Sequence, residues 1–377
     1  MNIVARQKQE YGIDWLMFFS IVPILIAGLS TMNSFTADNV FFNRQLIWIV
    51  VSIVVFFLFS FIDFRFLRRT GVLVGLFLFS FFVLLSLFVF GKVTKGAQSW
   101  FDFGLLSFQP SDPAKLVLIL ILAKYFSRRH IEIANVRHIF VSGFYAFTFF
   151  MLVFLSPDFG SAIMMLFIWL GMVLVSGISK KHLFIVFLAG SLAFSGLWFG
   201  VFKDYQKQRI KTFISPLTDI RGAGYNAYQA TITIGSGKIL GKGIGYGTQS
   251  RLKFLPEYET DFIFAAYAEE WGFVGVLILL FLYSFFIWRV LKNAFLGLSN
   301  FEILFGIGLA ILFVSHLFIN IGMNIGLLPV TGVPLPFMSY GGSHLLTEFA
   351  GLGILMGMRR YKRVMHKDLI KNEFVGI

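Results

Sequence analysis

The stretch Val72-Leu73-Val74-Gly75-Leu76-Phe77-Leu78-Phe79-Ser80-Phe81-Phe82-Val83-Leu84-Leu85-Ser86-Leu87-Phe88-Val89-Phe90 carries no charged residue. A helix of about 20 residues crosses the hydrocarbon layer of a bilayer. Backbone amides in lipid must be paired within the segment itself, which leaves a helix or a closed barrel. The run shows none of the period-two alternation of a barrel strand, so it reads as a transmembrane helix.

Nine more apolar runs lie outward from it, at 15–31, 46–61, 113–126, 139–155, 162–175, 183–201, 262–288, 303–323 and 345–358. Together they predict an all-α polytopic membrane protein with about ten spans, in a single membrane domain over 1–377. The run at 113–126 is short and reads as tilted or partly inserted. The first run is followed by many others, so it is a span rather than a removed signal peptide. Composition agrees: 57% of the 377 residues are hydrophobic and 14% charged, and the mean hydropathy is +0.80, which excludes an ordinary soluble domain. The absence of cysteine excludes disulfides and thiolate metal sites.

The net charge of +13 does not point to nucleic acid. The basic residues sit in short clusters between apolar runs, the pattern of topology signals and of contact with anionic membrane lipid. With the N-terminus inside, 19 of the 32 Lys and Arg residues fall on inside segments, including the tail at 360–377. The outside set is Arg44, Lys92, Lys95, Lys115 and nine residues of one long loop. Long loops follow the charge rule weakly, so N-in and C-in is expected, with an extracytoplasmic loop at 202–261 between spans 7 and 8. A loop of that length is either functional or a mobile connector, and its aromatics and lack of low-complexity repeats favour function.

Six places carry chemistry. Asp261 stands where the long loop meets the eighth span, followed at once by Phe262-Ile263-Phe264. Partial desolvation there makes a carboxylate a better base; the competing reading is an interfacial helix start, with Thr260 or Asp261 as N-cap. Glu269 and Glu270 lie deeper in the same span, where adjacent acids need an interior cation or polar partner, or relay a proton. Gln109-Pro110-Ser111-Asp112-Pro113-Ala114-Lys115 opens the fourth span, with Ser111 or Asp112 as expected cap. Asp112 and Lys115 share a helix face; Lys115 either binds an anionic head group or snorkels from a structural pair. Trp100 is an interfacial anchor or a platform for a sugar ring. Finally, residues 324–343 hold three prolines and several glycines. They form irregular backbone that either lines a site or plugs the bundle. The segment Gly235-Ser236-Gly237-Lys238-Ile239-Leu240-Gly241-Lys242-Gly243 lacks the Ser or Thr of a nucleotide P-loop. Its amides, with Lys238, Lys242, Arg251 and Lys253, remain suited to a pyrophosphate.

Taken in order, several motifs resemble the SEDS family (shape, elongation, division and sporulation), over about residues 10 to 363. They are Gly96-Ala97 with Trp100, Gln109-Pro110-Ser111 with Ala114-Lys115, Ser156-Pro157-Asp158-Phe159-Gly160, Leu255-Pro256-Glu257 with Thr260-Asp261-Phe262, and Pro334-Leu335-Pro336-Phe337 with Ser339-Tyr340-Gly341-Gly342-Ser343. Gly332-Val333-Pro334-Leu335-Pro336-Phe337 and Ala268-Glu269-Glu270-Trp271-Gly272 are closer to the elongation-type RodA branch than to the division-type FtsW branch. The chain departs from the family at Asp112, where Glu is usual, at Pro113 after it, and at Glu259, where His is common.

The resemblance implies a peptidoglycan glycosyltransferase of the bacterial cytoplasmic membrane that polymerises lipid II on the outer face. It implies Asp261 as the essential aspartate. Trp100, Gln109, Asp112, Lys115, Glu257, Ser339 and Tyr340 are then expected at the substrate, with Lys115, Arg209, Lys253 or a divalent cation (magnesium or manganese) holding the diphosphate. It also implies a class B penicillin-binding protein as partner. The other readings are a lipid II flippase, expected to carry charge deep in the bundle, and a non-catalytic scaffold for a transpeptidase.

Overall fold

The computed structural model describes residues 12–34, 40–94, 97–102, 104, 107–127, 136–200, 204–214, 224–252 and 254–360. Each of the ten apolar runs falls on one helix: α1 (Trp15–Asn33), α2 (Val40–Ser60), α3 (Thr70–Phe90), α4 (Ser111–Ser127), α5 (Val136–Leu155), α6 (Phe159–Val175), α7 (Lys180–Gly200), α11 (Ile263–Phe295), α12 (Asn300–Asn324) and α13 (Gly342–Arg360). The long loop is not featureless. It contains α8 (Asp204–Ile214), α9 (Tyr225–Ser236) and the single turn α10 (Thr248–Arg251). Between α3 and α4 a small antiparallel sheet forms from β1 (Lys92–Thr94), β2 (Ala97–Asp102) and β3 (Ser107–Phe108), in the order β1-β2-β3. Six helices, α1, α2, α3, α5, α11 and α12, are long and apolar enough to cross a membrane. Apart from that small sheet, this is a helical, multi-pass membrane protein.

Helices α4 and α12 form the centre. The short fourth run is not peripheral: α4 packs against α3, α5, α6, α12 and α13, and buries most of its length, from Ser111 and Asp112 to Ala123 and Phe126. Its brevity therefore reflects enclosure by protein. Two-thirds of the apolar window of α12 is buried, against 17% for α2, so α2 presents its Ile47, Val50, Val54 and Leu58 side chains outward. On its other side α2 meets α13. Gly353 and Gly357 permit that approach, since a Cβ on either would lie 2.8 Å from a backbone carbonyl of α2 or the turn after it, the small-residue packing that membrane helices use.

One end of the bundle is tied by charge. Asp14 caps α1 by accepting from the Met17 N–H. It also receives the Arg289 guanidinium through Nε (3.1 Å) and Nη2 (2.6 Å) and the Asn293 amide at 2.7 Å. Arg68 pairs with Glu302 across to α12. Helix α11 is not continuous: Gly272 sits at φ 65°, ψ −168°, and breaks it.

Candidate active site

Asp261 ends a tight turn that starts at Glu257, where φ is +53°. The Thr260 and Phe262 N–H groups both donate to the Glu257 carbonyl at 3.1 Å, and the Thr260 hydroxyl donates to the Glu257 carboxylate at 3.1 Å. The N-cap of α11 is Phe262, with no side-chain cap bond. Neither Thr260 nor Asp261 is therefore spent as a helix cap, contrary to the structural alternative read from the sequence. Burial and the neighbouring Glu259 carboxylate push the Tyr258 phenol above its ordinary range, so it stays protonated beside the turn.

The peptide of Asp261 is held from behind. Its carbonyl accepts from the side-chain amides of Asn320 (3.0 Å) and Asn324 (3.1 Å), both fully buried on α12. The same Asn320 amide donates to Val333 O at 2.8 Å, so one side chain joins the Asp261 turn to the proline-rich segment. That segment is then stitched to the turn residue by residue. The Ser339 hydroxyl donates to Thr260 O (2.6 Å) and accepts from Leu335 N (2.8 Å), and Tyr340 N donates to Glu259 O (2.8 Å). Gln45, buried on α2, donates to Ser339 O and accepts from Gly341 N. From Leu335 to Gly341 most of the irregular backbone N–H groups are satisfied by protein, the condition for such backbone to exist at membrane depth.

The carboxylate of Asp261 lies against Gly332, where an added Cβ would stand 3.4 Å from Oδ2. The next residue back, Thr331, is met from the other side by Gly160, whose Cβ would fall 2.4 Å from Thr331 O. The Ser156-Pro157-Asp158-Phe159-Gly160 motif thus touches the strip of backbone beside Asp261. Asp158 caps α6 through Ser161 N and accepts the Gln109 amide at 2.7 Å. Gln109 is also bonded through its backbone to the Ser343 hydroxyl, as acceptor and as donor at 3.2 Å. Trp100, half-buried on β2, flanks the same assembly: β2 pairs with β3 through Phe101↔Phe108, one residue from Gln109, and Gln98 N donates to Ser156 O. Trp100, Gln109, Glu257, Asp261, Ser339 and Tyr340 are therefore linked through one framework of turns.

Asp112 and Lys115 lie one step deeper. Their side chains pair at 2.9 Å, and both are almost completely buried. Lys115 does not snorkel at the membrane edge as expected, and Ser111 and Asp112 lie inside the first turn of α4 instead of capping it. Around the pair is a polar chain that sequence reading missed. His344 Nδ1 is 3.8 Å from Asp112 Oδ1, and His344 Nε2 is 2.9 Å from Glu348 Oε1. Glu348 accepts the Phe337 N–H at 3.0 Å. The His316 ring lies against His344 with centroids 4.6 Å apart and the planes tilted by 39°, and its Nδ1–H donates to Pro334 O. The signal for this chain was His344 and Glu348 four apart on an apolar helix, hence on one face.

Other expected residues stand elsewhere. Glu269 binds loop groups: Lys242 Nζ at 2.7 Å, Gln249 N at 3.1 Å and Ser250 N at 3.4 Å. Lys242 is thereby engaged by a buried carboxylate and is withdrawn from the set expected to bind a diphosphate. Lys253, the side chain of Arg209, Gly96 and the tail beyond residue 360 lie outside the described residues. Among the described residues no three His, Asp or Glu side chains converge as metal ligands. No reaction step is assigned to a divalent cation.

A cavity of about 700 Å³ opens between α5, α6 and α7, walled by Phe140, Phe147, Phe150, Phe154, Phe159 and Trp169. Its Phe154 and Phe159 end flanks the Ser156-Pro157-Asp158 turn that holds Gln109.

Known proteins match most of this chain in sequence and in fold. The chain is 39% identical over 287 residues to the peptidoglycan glycosyltransferase MrdB of Escherichia coli K12, covering 76% of this chain and 77% of that one. It is 33% identical to the stage V sporulation protein E of Bacillus subtilis, over 93% and 98% of the two chains. A solved chain described under structural coordination of polymerization and crosslinking by a peptidoglycan synthase complex superimposes with a TM-score of 0.80 at 32% identity, over 92% of this chain and 98% of that one. The rod shape determining protein RodA of Thermus thermophilus superimposes with a TM-score of 0.70 at 30% identity, over 93% and 97%. Residues 11–364 match the model of the FtsW/RodA/SpoVE cell cycle proteins, and the chain belongs to that family.

Proposed function

We infer that this chain is a peptidoglycan glycosyltransferase that polymerises lipid II into β-1,4 glycan strands during cell elongation, working in the bacterial cytoplasmic membrane with its active site on the extracytoplasmic side. One observation carries the reading. Asp261, the acid at the mouth of the eighth span, is not used as a helix cap. Its carbonyl is held by two buried amides of α12, the turn before it is bonded to Ser339 and Tyr340, and its carboxylate lies beside the Gly332 backbone at the end of the bundle that also gathers Trp100 and Gln109.

The chemistry follows from that placement. Asp261 accepts the proton of the acceptor sugar's 4-hydroxyl. The oxygen attacks the anomeric carbon of the donor, a new C–O bond forms, and the bond from that carbon to the diphosphate oxygen breaks with its electron pair. An α-linked donor gives a β link by inversion, and undecaprenyl diphosphate departs. Rigid holding of the base supports this role, because positioning lowers the barrier most when the group needs no reorganisation. The leaving diphosphate needs positive charge. Lys115 is enclosed with Asp112 and serves a diphosphate only by exchanging partners, which leaves Arg209, Lys238, Arg251 and Lys253 of the long loop, or a divalent cation, as candidates. The apolar cavity between α5, α6 and α7 suits a polyprenyl tail and begins beside Gln109. The structural likeness to a chain of a peptidoglycan synthase complex supports a class B penicillin-binding protein as partner.

Purified protein with and without that partner, given labelled lipid II, tests the reading. Asp261→Asn should remain folded in membrane yet lose polymer formation by about 10²-fold or more, the loss expected for a missing general base. Polymerisation at the wild-type rate would remove Asp261 as the base.

A further inference from the structure

The break at Gly272 is filled from the long loop. Phe273 N donates to Lys238 O (2.9 Å) and Val274 N to Ile239 O (3.1 Å), while Lys242 N and Gly243 N donate to Glu269 O and Glu270 O at 2.9 and 3.0 Å. Residues 238–243 therefore lie along α11 and take up backbone groups that a continuous helix would have paired internally. The two buried acids fasten the same segment, Glu269 through Lys242 Nζ and Glu270 through Gly245 N at 2.7 Å. All these polar groups face the helix. The other face of the segment is open and carries two large apolar side chains, Ile239 at 67% exposed and Leu240 at 80%, beside an exposed Lys238 long enough to reach the polar layer.

Two rulers place this segment relative to the bilayer. Trp15 and Trp288, both half exposed, flank the Asp14–Arg289 pair and mark one edge of the apolar layer, as interfacial tryptophans do. Along α11 the helix from Trp288 back to Gly272 is about 24 Å long at its ordinary rise, less than the hydrocarbon thickness of about 30 Å. Independently, Ser34 at the end of α1 lies about 29 Å from Trp15, and its carbonyl is 3.9 Å from where a Cβ on Gly245 would stand. Gly245 is thus at the far edge of the layer, while Ile239 and Leu240, bonded beside Gly272, lie several ångströms inside it. On α11 their apolar surface continues into Phe273, Val274, Leu277 and Ile278, which are exposed on a spanning helix.

We propose that residues 237–247 form a re-entrant hairpin embedded in the leaflet opposite Trp15 and Trp288, with Ile239 and Leu240 in contact with lipid acyl chains. The hairpin satisfies the helix break on one face and replaces the missing lipid-facing surface of α11 on the other. Glu269 and Glu270 are then anchors of a membrane-inserted loop, a use for intramembrane acids that requires neither proton transfer nor substrate.

Because the chain has no cysteine, Leu240→Cys gives a single labelling site. A nitroxide there, in full-length protein reconstituted into phosphatidylcholine–phosphatidylglycerol vesicles, should collide more with oxygen than with a water-soluble nickel chelate. The sign should match that at Phe281→Cys, a lipid-facing position further along α11, with a smaller depth. Ile239→Cys repeats the measurement if the first variant fails to reconstitute. A water-like preference for the nickel chelate overturns the proposal. Protection from both probes, as under a protein surface, overturns it equally.

Discussion

Asp261 is a side chain whose value depends on what its own peptide touches. Asn320 and Asn324 aim two buried amides at its carbonyl, and removing Asn320 takes one of those donors away and leaves Val333 O without its own, a loss of about 1–3 kcal/mol. Since about 1.4 kcal/mol is tenfold in rate, Asn320→Ala should lower kcat roughly tenfold or more if the bond holds the base in place. KM for lipid II should stay within about twofold, because the amide faces backbone and not the substrate pocket. A rise in KM at constant kcat would show that Asn320 shapes substrate binding instead. Asp261 was legible in the sequence because an acid at the start of an apolar run is conspicuous. Asn320 and Asn324 were half legible: their spacing of four places them on one face, but no pattern says which carbonyl they face. Gln45 was illegible, a single amide beside Arg44 whose work is to bridge Ser339 O and Gly341 N, residues far away in the chain. Lys115 was misread for a related reason. Helix periodicity places it beside Asp112 but cannot say whether that face meets lipid or the packed core.

At the scale of the element, the ten helices follow from length and apolarity alone, although α2 starts well before its run and α11 ends well after its own. The break in α11 did not follow, because 262–288 has the composition of an ordinary span. Its cause is tertiary: segment 238–243 supplies the hydrogen bonds that make a break tolerable, and only glycine takes the backbone angles at 272. Gly272→Ala should therefore be costly twice over. The conformation is essentially glycine-only, worth about 1–3 kcal/mol of strain, and the new Cβ would stand 2.2 Å from Gly241 N. The unfolding midpoint in detergent should fall clearly for Gly272→Ala and stay unchanged for Gly75→Ala on α3, where nothing lies within 4 Å. Equal midpoints would mean that α11 can close its break and expel the hairpin without loss.

For the whole molecule, the question is which end faces out. The basic residues counted as topology signals are also structural. Arg289 is buried against Asp14, Arg68 pairs with Glu302, and Lys124 donates to Arg68 O. Part of the charge asymmetry therefore fastens one end of the bundle, and breaking such a buried pair costs about 3–5 kcal/mol. The opposite end has ion pairs of its own, Lys92–Asp102, Asp112–Lys115 and Lys242–Glu269, and holds the β-sheet, Gln109, Asp158 and the Asp261 turn. A lipid-linked sugar polymerised outside the cell needs that end outside, which is also where the charge rule puts it. Two single cysteines separate the cases. Val93→Cys, exposed on β1, should react with a membrane-impermeant maleimide once the outer envelope alone is opened, whereas Leu298→Cys, exposed between α11 and α12, should react only after the cytoplasmic membrane is breached. The reverse pattern would put Asp261 in the cytoplasm, where a strand destined for the wall could not be extended, and the polymerase reading would fail even if Asp261→Asn proved inactive.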